Sequence, residues 1–187
     1  MFIDLILSGK TISIDIYKFE SGESKLFILG YSGSGKSTLG SKLAKKYKTT
    51  YYDLDNIWNE FIPKGKTSPK PPKGKTDEDL DDIVHKRMKQ IIVSPKYKII
   101  EGVNIIQYPE LKSFVMKQSC IILGTSALKS SYKTIKRDWK TNNNNLFKKV
   151  KSRFLINFID VNRDLKQFKK FRINKNTVIK NYKLRGE

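Results

Sequence analysis

Residues 30–37 read Gly30-Tyr31-Ser32-Gly33-Ser34-Gly35-Lys36-Ser37 and match the pattern G-x-x-x-x-G-K-[ST]. Glycines let such a loop turn its backbone amides inward around an anion, and a helix that follows the loop adds its positive end. The Lys36 ammonium would then reach the outer phosphates of ATP, and the Ser37 hydroxyl would be a ligand for Mg²⁺. The residues predicted to bind the nucleotide are Gly30, Tyr31, Ser32, Gly33, Ser34, Gly35, Lys36, Ser37 and Thr38.

The segments around this loop supply the strand and the helix that it needs. Residues 25–29 predict a short buried strand, and residues 39–47 carry apolar side chains at helical spacing. Further strands are predicted at 50–53, 97–100, 119–123 and 177–179, and helices at 76–94, 128–139 and 147–168. Strands that alternate with helices are typical of an α/β fold, in which helices cover both faces of a parallel sheet.

Two segments depart from this alternation. Residues 1–19 alternate apolar and polar side chains around Ser8-Gly9-Lys10, which predicts a β-hairpin before the sheet. Residues 63–75 are rich in Pro, Gly and Lys and show no periodicity, which predicts a loop. The length of 187 residues, with 38% hydrophobic side chains, is typical of one compact domain.

The chain is strongly basic, with 38 Lys and Arg against 18 Asp and Glu and a formal charge of +20. This charge favours polyanionic partners such as nucleotides and allows nonspecific binding of nucleic acid. An AT-rich coding sequence would give the same Lys-, Ile- and Asn-rich composition without a function. No apolar run approaches the roughly 18 residues of a membrane span, and residues 1–4 lack signal-peptide features. We therefore expect a cytoplasmic protein without a membrane partner.

Cysteine and histidine occur once each. Cys120 lies in an apolar run and is expected in the core, which leaves no internal disulfide and no cysteine cluster for zinc. His85 lies beside Lys86 and Arg87 and is expected on the surface, because no second His is present to share a metal.

Two carboxylates follow the second predicted strand. Asp53 and Asp55 would project to the same side of an extended chain, at the sheet edge where parallel strands present ligand sites. One could orient Mg²⁺ and its waters, and the other could accept the proton of an attacking hydroxyl. A solvated turn, or a cap for a helix starting at Asn56, is the alternative. Glu101 would supply another carboxylate at the same edge or cap a loop.

Arginines are candidates for stabilising a transferring phosphoryl group, because a guanidinium binds phosphate through two hydrogen bonds. Arg137 follows the fourth strand, and Arg153 and Arg163 lie in the long helix after it. In a chain this basic, each could instead be a solvated surface residue.

Residues 27–39 resemble the small P-loop kinases of the adenylate kinase group, particularly the topology-modulation-protein family of predicted kinases. That family also has a D-x-x-x-W-like element, as at 55–58, and an acidic-Gly-Asn-like turn, as in Glu101-Gly102-Val103-Asn104. Shikimate kinases offer a second match, in Ser37-Thr38-Leu39-Gly40 and in an F-x-D-x-D-like run at 51–55. Their triple-glycine acceptor loop has no counterpart in this chain.

This resemblance implies a P-loop NTPase fold with five parallel strands. It also implies an acceptor-side loop at 56–76 and a lid at 126–153, within a single domain over 1–187 whose residues 1–22 are the hairpin extension. Residues 126–153 would close over ATP, and Arg137 would act from there.

The sequence therefore predicts an ATP- and Mg²⁺-dependent phosphotransferase that acts on a small hydroxyl or phosphate acceptor, with a nucleoside or nucleotide preferred. The predicted catalytic residues are Lys36, Asp53, Asp55 and Arg137. The predicted metal ligands are Ser37 and Asp53. A polynucleotide 5′-hydroxyl kinase and an ATP-gated module that binds nucleic acid or a partner are the alternatives.

Overall fold

The computed structural model describes residues 2–7, 10–15, 17–30, 33–64, 68–102, 105, 108–115, 117–124, 132, 178–180 and 182–184. The strands in these ranges are β1 (Phe2–Leu7), β2 (Lys10–Asp15), β3 (Leu26–Gly30), β4 (Tyr51–Asp53), β5 (Ile99–Gly102), β6 (Ser119–Gly124), β7 (Val178–Lys180) and β8 (Tyr182–Leu184). The helices are α1 (Tyr17–Glu20), α2 (Lys36–Lys46), α3 (Asp55–Asn59), α4 (Asp77–Val93) and α5 (Pro109–Val115). Strands and helices alternate from β3 to β6, as predicted.

Four parallel strands form the centre of the fold, in the order β4-β5-β3-β6. Strand β3 leads into the glycine-rich loop and lies between β5 and β6, with Ile28 opposite Glu101 on one side and Ile121 on the other. All residues of β3 and β5 are buried, as expected for parallel strands covered on both faces. The predicted parallel sheet flanked by helices is confirmed. Beside it, β7 runs parallel to β6, and β2-β1-β8 form a separate antiparallel sheet.

The side chains of β3 alternate between two cores, because successive residues of a strand point to opposite faces of the sheet. Phe27 and Leu29 pack with residues of α3, α4 and α5, on what we call the α4 face. Leu26 and Ile28 pack with residues of α1 and α2, on the α2 face. Cys120 is buried on the α4 face, which confirms its place in the core.

Helix α4 begins at the capping box that the sequence predicts. The Thr76 hydroxyl accepts a hydrogen bond from the Asp79 amide at 3.1 Å, and the Asp79 carboxylate accepts one from the Thr76 amide at 2.8 Å. Together they satisfy two backbone donors that a helix start leaves unpaired. The buried stripe of this helix is Leu80, Val84, Met88 and Ile92.

Several local predictions are wrong. The hairpin predicted over 1–19 gives way at Tyr17 to helix α1, whose Phe19 packs into the α2-face core, while β1 and β2 pair antiparallel up to Asp15. The loop predicted at 56–76 contains most of α3 and is closed by a hydrogen bond from the Lys70 amide to the Phe61 carbonyl at 2.8 Å. Helix α5 was not predicted, since residues 103–118 show no clear periodicity.

His85 is not the free surface residue that the sequence predicts. Its ring stacks on Tyr108, with centroids 4.4 Å apart, and its Nε2 lies beside the Glu110 carboxylate. The Tyr108 hydroxyl in turn donates to Asp81 at 2.7 Å. His85 therefore helps to join α4 to α5.

The helices predicted at 128–139 and 147–168 and the lid predicted at 126–153 lie, apart from Tyr132, outside the described residues. Arg137, Arg153 and Arg163 lie outside them as well. Among the helices that the structure does describe, none combines the length and apolar character needed to cross a membrane.

Candidate active site

The glycine-rich loop joins the end of β3 to the start of α2. Gly33 and Gly35 have φ of 73° and 98°, and α2 begins directly after them at Lys36. At the start of the loop, a Cβ on Gly30 would lie 2.5 Å from the Leu123 carbonyl oxygen and 2.7 Å from Ser34 Oγ. Only glycine fits this crossing of two strands, so the first position of the motif is fixed by packing as well as by its φ of 152°.

The polar side chains of the loop differ in exposure. Lys36 is 7% exposed and Ser34 is 6% exposed, whereas Ser37 and Thr38 are open to solvent. Ser34 Oγ has no hydrogen-bond partner within the described ranges. Tyr31 and Ser32 lie outside those ranges. A buried ammonium and an unpaired hydroxyl beside a helix N-terminus fit an anionic ligand.

Glu101 occupies the edge of the sheet next to this loop and is fully buried. It is the third residue of β5, opposite Ile28 of β3 and Asp53 of β4. Its Oε1 accepts a hydrogen bond of 2.7 Å from the Ser37 hydroxyl, and its Oε2 has no partner among the described residues. The carboxylate therefore holds the hydroxyl that the motif assigns to Mg²⁺.

The environment of Glu101 disfavours its charged form. Burial is the largest cause, the Asp53 charge adds to it, and together they raise the pKa of Glu101 from 4.5 to about 7. The Ser37 hydroxyl and the Lys36 ammonium act in the opposite direction on this pKa. Because the folded chain keeps this proton when the unfolded chain has lost it, stability falls as the pH rises between about 4.5 and 7.

Glu101→Gln is therefore expected to raise the midpoint of thermal unfolding at pH 8, in the absence of nucleotide and metal. At pH 5 the wild-type side chain is itself neutral in the folded state, so the same substitution should change the midpoint much less. Differential scanning calorimetry at the two pH values checks this. The exposed Glu78→Gln, in the first turn of α4, is the matched control. Equal shifts at both pH values would contradict the assignment.

The two aspartates do not project together from an extended strand, and that prediction is wrong for Asp55. Strand β4 ends at Asp53, Leu54 is helical with φ of −67° and ψ of −21°, and Asp55 is the first residue of α3. The Asp53 Oδ1 accepts a hydrogen bond of 2.9 Å from the Asp55 amide. Asp53 therefore stays at the sheet edge beside Glu101, while the helical turn takes Asp55 out of the strand register.

Tyr51 lies two residues before Asp53, on the same α2 face of the sheet. Its ring packs against Gly40, where a Cβ would lie 2.4 Å from Tyr51 Cε2. Its hydroxyl makes hydrogen bonds with Glu101 and Ser37. Burial and the nearby Glu101 charge raise the pKa of Tyr51 far above 10, so this hydroxyl remains a donor at neutral pH.

These side chains fit Mg²⁺, although the ion's usual sites need few protein ligands. The donors are the Ser37 hydroxyl and the carboxylates of Asp53 and Glu101, and hard oxygen ligands of this kind suit the ion. The buried and unpaired Glu101 Oε2 is an oxygen that a cation or its water would satisfy. No cluster of three or more Asp, Glu, His or Cys suited to a metal occurs in the described part of the chain. Mg²⁺ bound through phosphates needs only one or two carboxylates.

With this geometry in place, comparison with protein families is informative. A model described as an AAA domain matches residues 26–149 of the 187. The chain belongs to this AAA domain family. The match begins with β3 and includes the glycine-rich loop and Glu101, while the N-terminal residues 1–25 fall outside it. No curated protein sequence matches the chain.

Solved structures similar to this AAA domain protein are P-loop kinases. Shikimate kinase from Bacteroides thetaiotaomicron is 14% identical with a TM-score of 0.50, over 79% of this chain and 80% of that one. Shikimate kinase from Acinetobacter baumannii, in complex with shikimate, is 16% identical with a TM-score of 0.50, over 79% of both chains. A gluconokinase from Sinorhizobium meliloti 1021 is 10% identical with a TM-score of 0.50, over 84% and 82%. At these identities the likeness shows the P-loop kinase fold.

Proposed function

We propose that the chain is an ATP- and Mg²⁺-dependent phosphotransferase that moves the γ-phosphate of ATP to a small acceptor. The observation that carries this proposal is the Ser37 hydroxyl, bonded at 2.7 Å to a buried carboxylate at the end of a glycine-rich loop. Within the AAA domain family, the motifs at 27–39 and 101–104 favour the topology-modulation-protein subgroup. A cytoplasmic location would give the enzyme its nucleotide.

In this proposal, catalysis consists of positioning and electrostatic stabilisation. The loop amides and Lys36 hold the phosphates, while Ser37 and Asp53, with Glu101 behind them, face the metal. Bound Mg²⁺ would neutralise charge on the phosphate oxygens. Asp55, at the start of α3, would orient the acceptor hydroxyl and take its proton. Arg137 would close over the transferring group from the lid at 126–153.

The acceptor is proposed to be a small hydroxyl or phosphate compound, with a nucleoside or nucleotide preferred. Four lysines in the segment after α3 are exposed, and they favour an acceptor that carries phosphate. They are Lys64, Lys70, Lys73 and Lys75. Incubation with γ-labelled ATP and a panel of nucleosides, nucleotides, shikimate and gluconate tests this. Labelling of shikimate or gluconate alone would overturn the preference, and labelling of no acceptor would overturn the kinase proposal.

Arg137→Ala should lower kcat more than it weakens ATP binding, because a lid arginine would act mainly on charge that develops in the transition state. Turnover with the best acceptor and ATP affinity by calorimetry measure the two effects separately. Arg153→Ala is a control from the far end of the same segment. Equal losses of turnover and ATP binding, or no loss at all, would contradict a lid role for Arg137.

A polynucleotide 5′-hydroxyl kinase is the second candidate, favoured by the +20 charge. If the exposed lysines track a phosphate backbone, oligonucleotide affinity should fall with salt at a log-log slope of about −0.7 for each phosphate neutralised. We expect such binding to be nonspecific and unneeded for catalysis. Binding and 5′-labelling across a salt series decide between the candidates, since efficient labelling of oligonucleotides with no activity on monomers would select the second.

We also propose that the catalytic sheet has five strands and that the chain is a single domain. The parallel register of Ile122 with Val178 and of Leu123 with Ile179 supports β7 as the fifth strand. The antiparallel ladder between β1 and β2 supports residues 1–22 as an N-terminal addition.

A further inference from the structure

Tyr51 lies where β4, β5 and α2 meet. On β4 it is opposite Ile99 of β5, so that Tyr51 lies near Glu101 along the same face of the sheet. On α2 its ring covers Gly40, with Cε2 at 2.4 Å and Cδ2 at 3.0 Å from the position that a Cβ would take. Any larger residue at 40 would displace the ring. Gly40 is three residues after Ser37, hence on the same side of α2.

The Tyr51 hydroxyl therefore reaches the pair formed by Ser37 and Glu101. It hydrogen-bonds to the Glu101 carboxylate and lies within reach of Ser37 Oγ. Because it is a donor, it competes with nothing that the carboxylate already provides and supports the acceptor role toward Ser37. The charged and polar groups around Glu101 are Lys36 and Ser37 from α2 and Tyr51 and Asp53 from β4.

A carboxylate with one bonded and one unpaired oxygen has two ways to turn. Glu101 Oε1 accepts from Ser37, while Oε2 has no partner in the described ranges. If the carboxylate rotated, the Ser37 hydroxyl would lose its acceptor and its proton would be free to point toward the ligand. With the proton held on Glu101, the lone pairs of Ser37 Oγ face away from the carboxylate and can meet a cation.

We propose that Tyr51 is a positioning residue that fixes the Glu101 carboxylate and, through it, turns the Ser37 oxygen toward phosphate-bound Mg²⁺. This inference rests on the proposed function, because it assumes that nucleotide binds with the metal at Ser37. Partners of this kind, one bond removed from a metal ligand, typically change metal affinity by about 10- to 100-fold. Tyr51 is one bond further out, so we expect about a three- to tenfold effect.

The test measures the affinity for ADP by titration calorimetry, once with Mg²⁺ and once with EDTA. In Tyr51→Phe, the ring stays on Gly40 and only the hydroxyl is lost. This variant should bind ADP normally in EDTA but lose about three- to tenfold of the gain that Mg²⁺ gives. Tyr52→Phe is the matched control, because Tyr52 is the next residue, stacks on Tyr97 at 4.8 Å and packs on the α4 face. It should leave both affinities unchanged.

Glu101→Gln shows whether Tyr51 acts through Glu101. Added to Glu101→Gln, the Tyr51→Phe change should cause no further loss of the Mg²⁺ effect, because the carboxylate that it holds is already absent. A full Mg²⁺ effect in Tyr51→Phe, or equal losses in Tyr51→Phe and Tyr52→Phe, would overturn the inference and leave the proposed kinase intact. Absence of any Mg²⁺ effect in the wild-type protein would overturn both.

Discussion

Replacing Lys36 with Ala is expected to abolish phosphotransfer and to leave the fold intact. Lys36 is the first residue of α2, where Ala is a good helix former, so the backbone loses nothing. The side chain is 7% exposed, and its charge acts on Glu101 inside the site. An ammonium held there in the absence of a ligand serves a negative group that binds later, which in the proposed reaction is the outer phosphates of ATP.

Transfer from γ-labelled ATP and thermal unfolding of the same preparations measure the two parts of this result. Lys36→Met keeps most of the buried side-chain volume and should be as inactive as Lys36→Ala, which separates loss of charge from loss of packing. Lys45→Ala, on the exposed side of the same helix, should retain full activity. Turnover at the wild-type level in Lys36→Ala would show that the glycine-rich loop is not the catalytic site.

The sequence predicted the central fold because local signals and burial agree there. The strand before the loop, helix α2 and the capping box at Thr76 were all identified from residue pattern, and the structure has them within one or two residues. Lys36 and Ser37 were found because the spacing of the motif fixes their place at a helix start. In such segments, each residue is chosen by the backbone conformation around it.

The place of Glu101 could not be predicted, because its surroundings come from distant parts of the chain. Sequence reasoning ended the third strand at Ile100, since a carboxylate is rarely buried in a parallel sheet. Its burial is supported by a hydrogen bond from Ser37, which is 64 residues away. The only available signal was the acidic-Gly pair after an apolar strand, which a loop cap would also give. The turn at Leu54 was hidden for a similar reason, because 51–55 carries alternation that continues past the end of the strand.

Asp53→Asn is expected to lower kcat by about 10²-fold or more, the range typical for loss of a positioned carboxylate in the reaction. The substitution is conservative for the fold, because an Asn oxygen can still accept the hydrogen bond from the Asp55 amide that starts α3. Asp53 lies opposite Glu101 at the sheet edge, and removing its charge leaves Glu101 as the one carboxylate near Ser37. Half-maximal activity should therefore require more Mg²⁺ in this variant.

Asp55→Asn is also expected to lower kcat by about 10²-fold if Asp55 accepts the proton of the acceptor hydroxyl. Its dependence on Mg²⁺ should stay at the wild-type value, because Asp55 belongs to α3 and not to the strand edge. Steady-state rates across a Mg²⁺ series separate the two aspartates, with the exposed Asp82→Asn on α4 as the control. Near wild-type kcat in both variants would reduce Asp53 to a helix cap and would leave Glu101 as the carboxylate that serves Ser37.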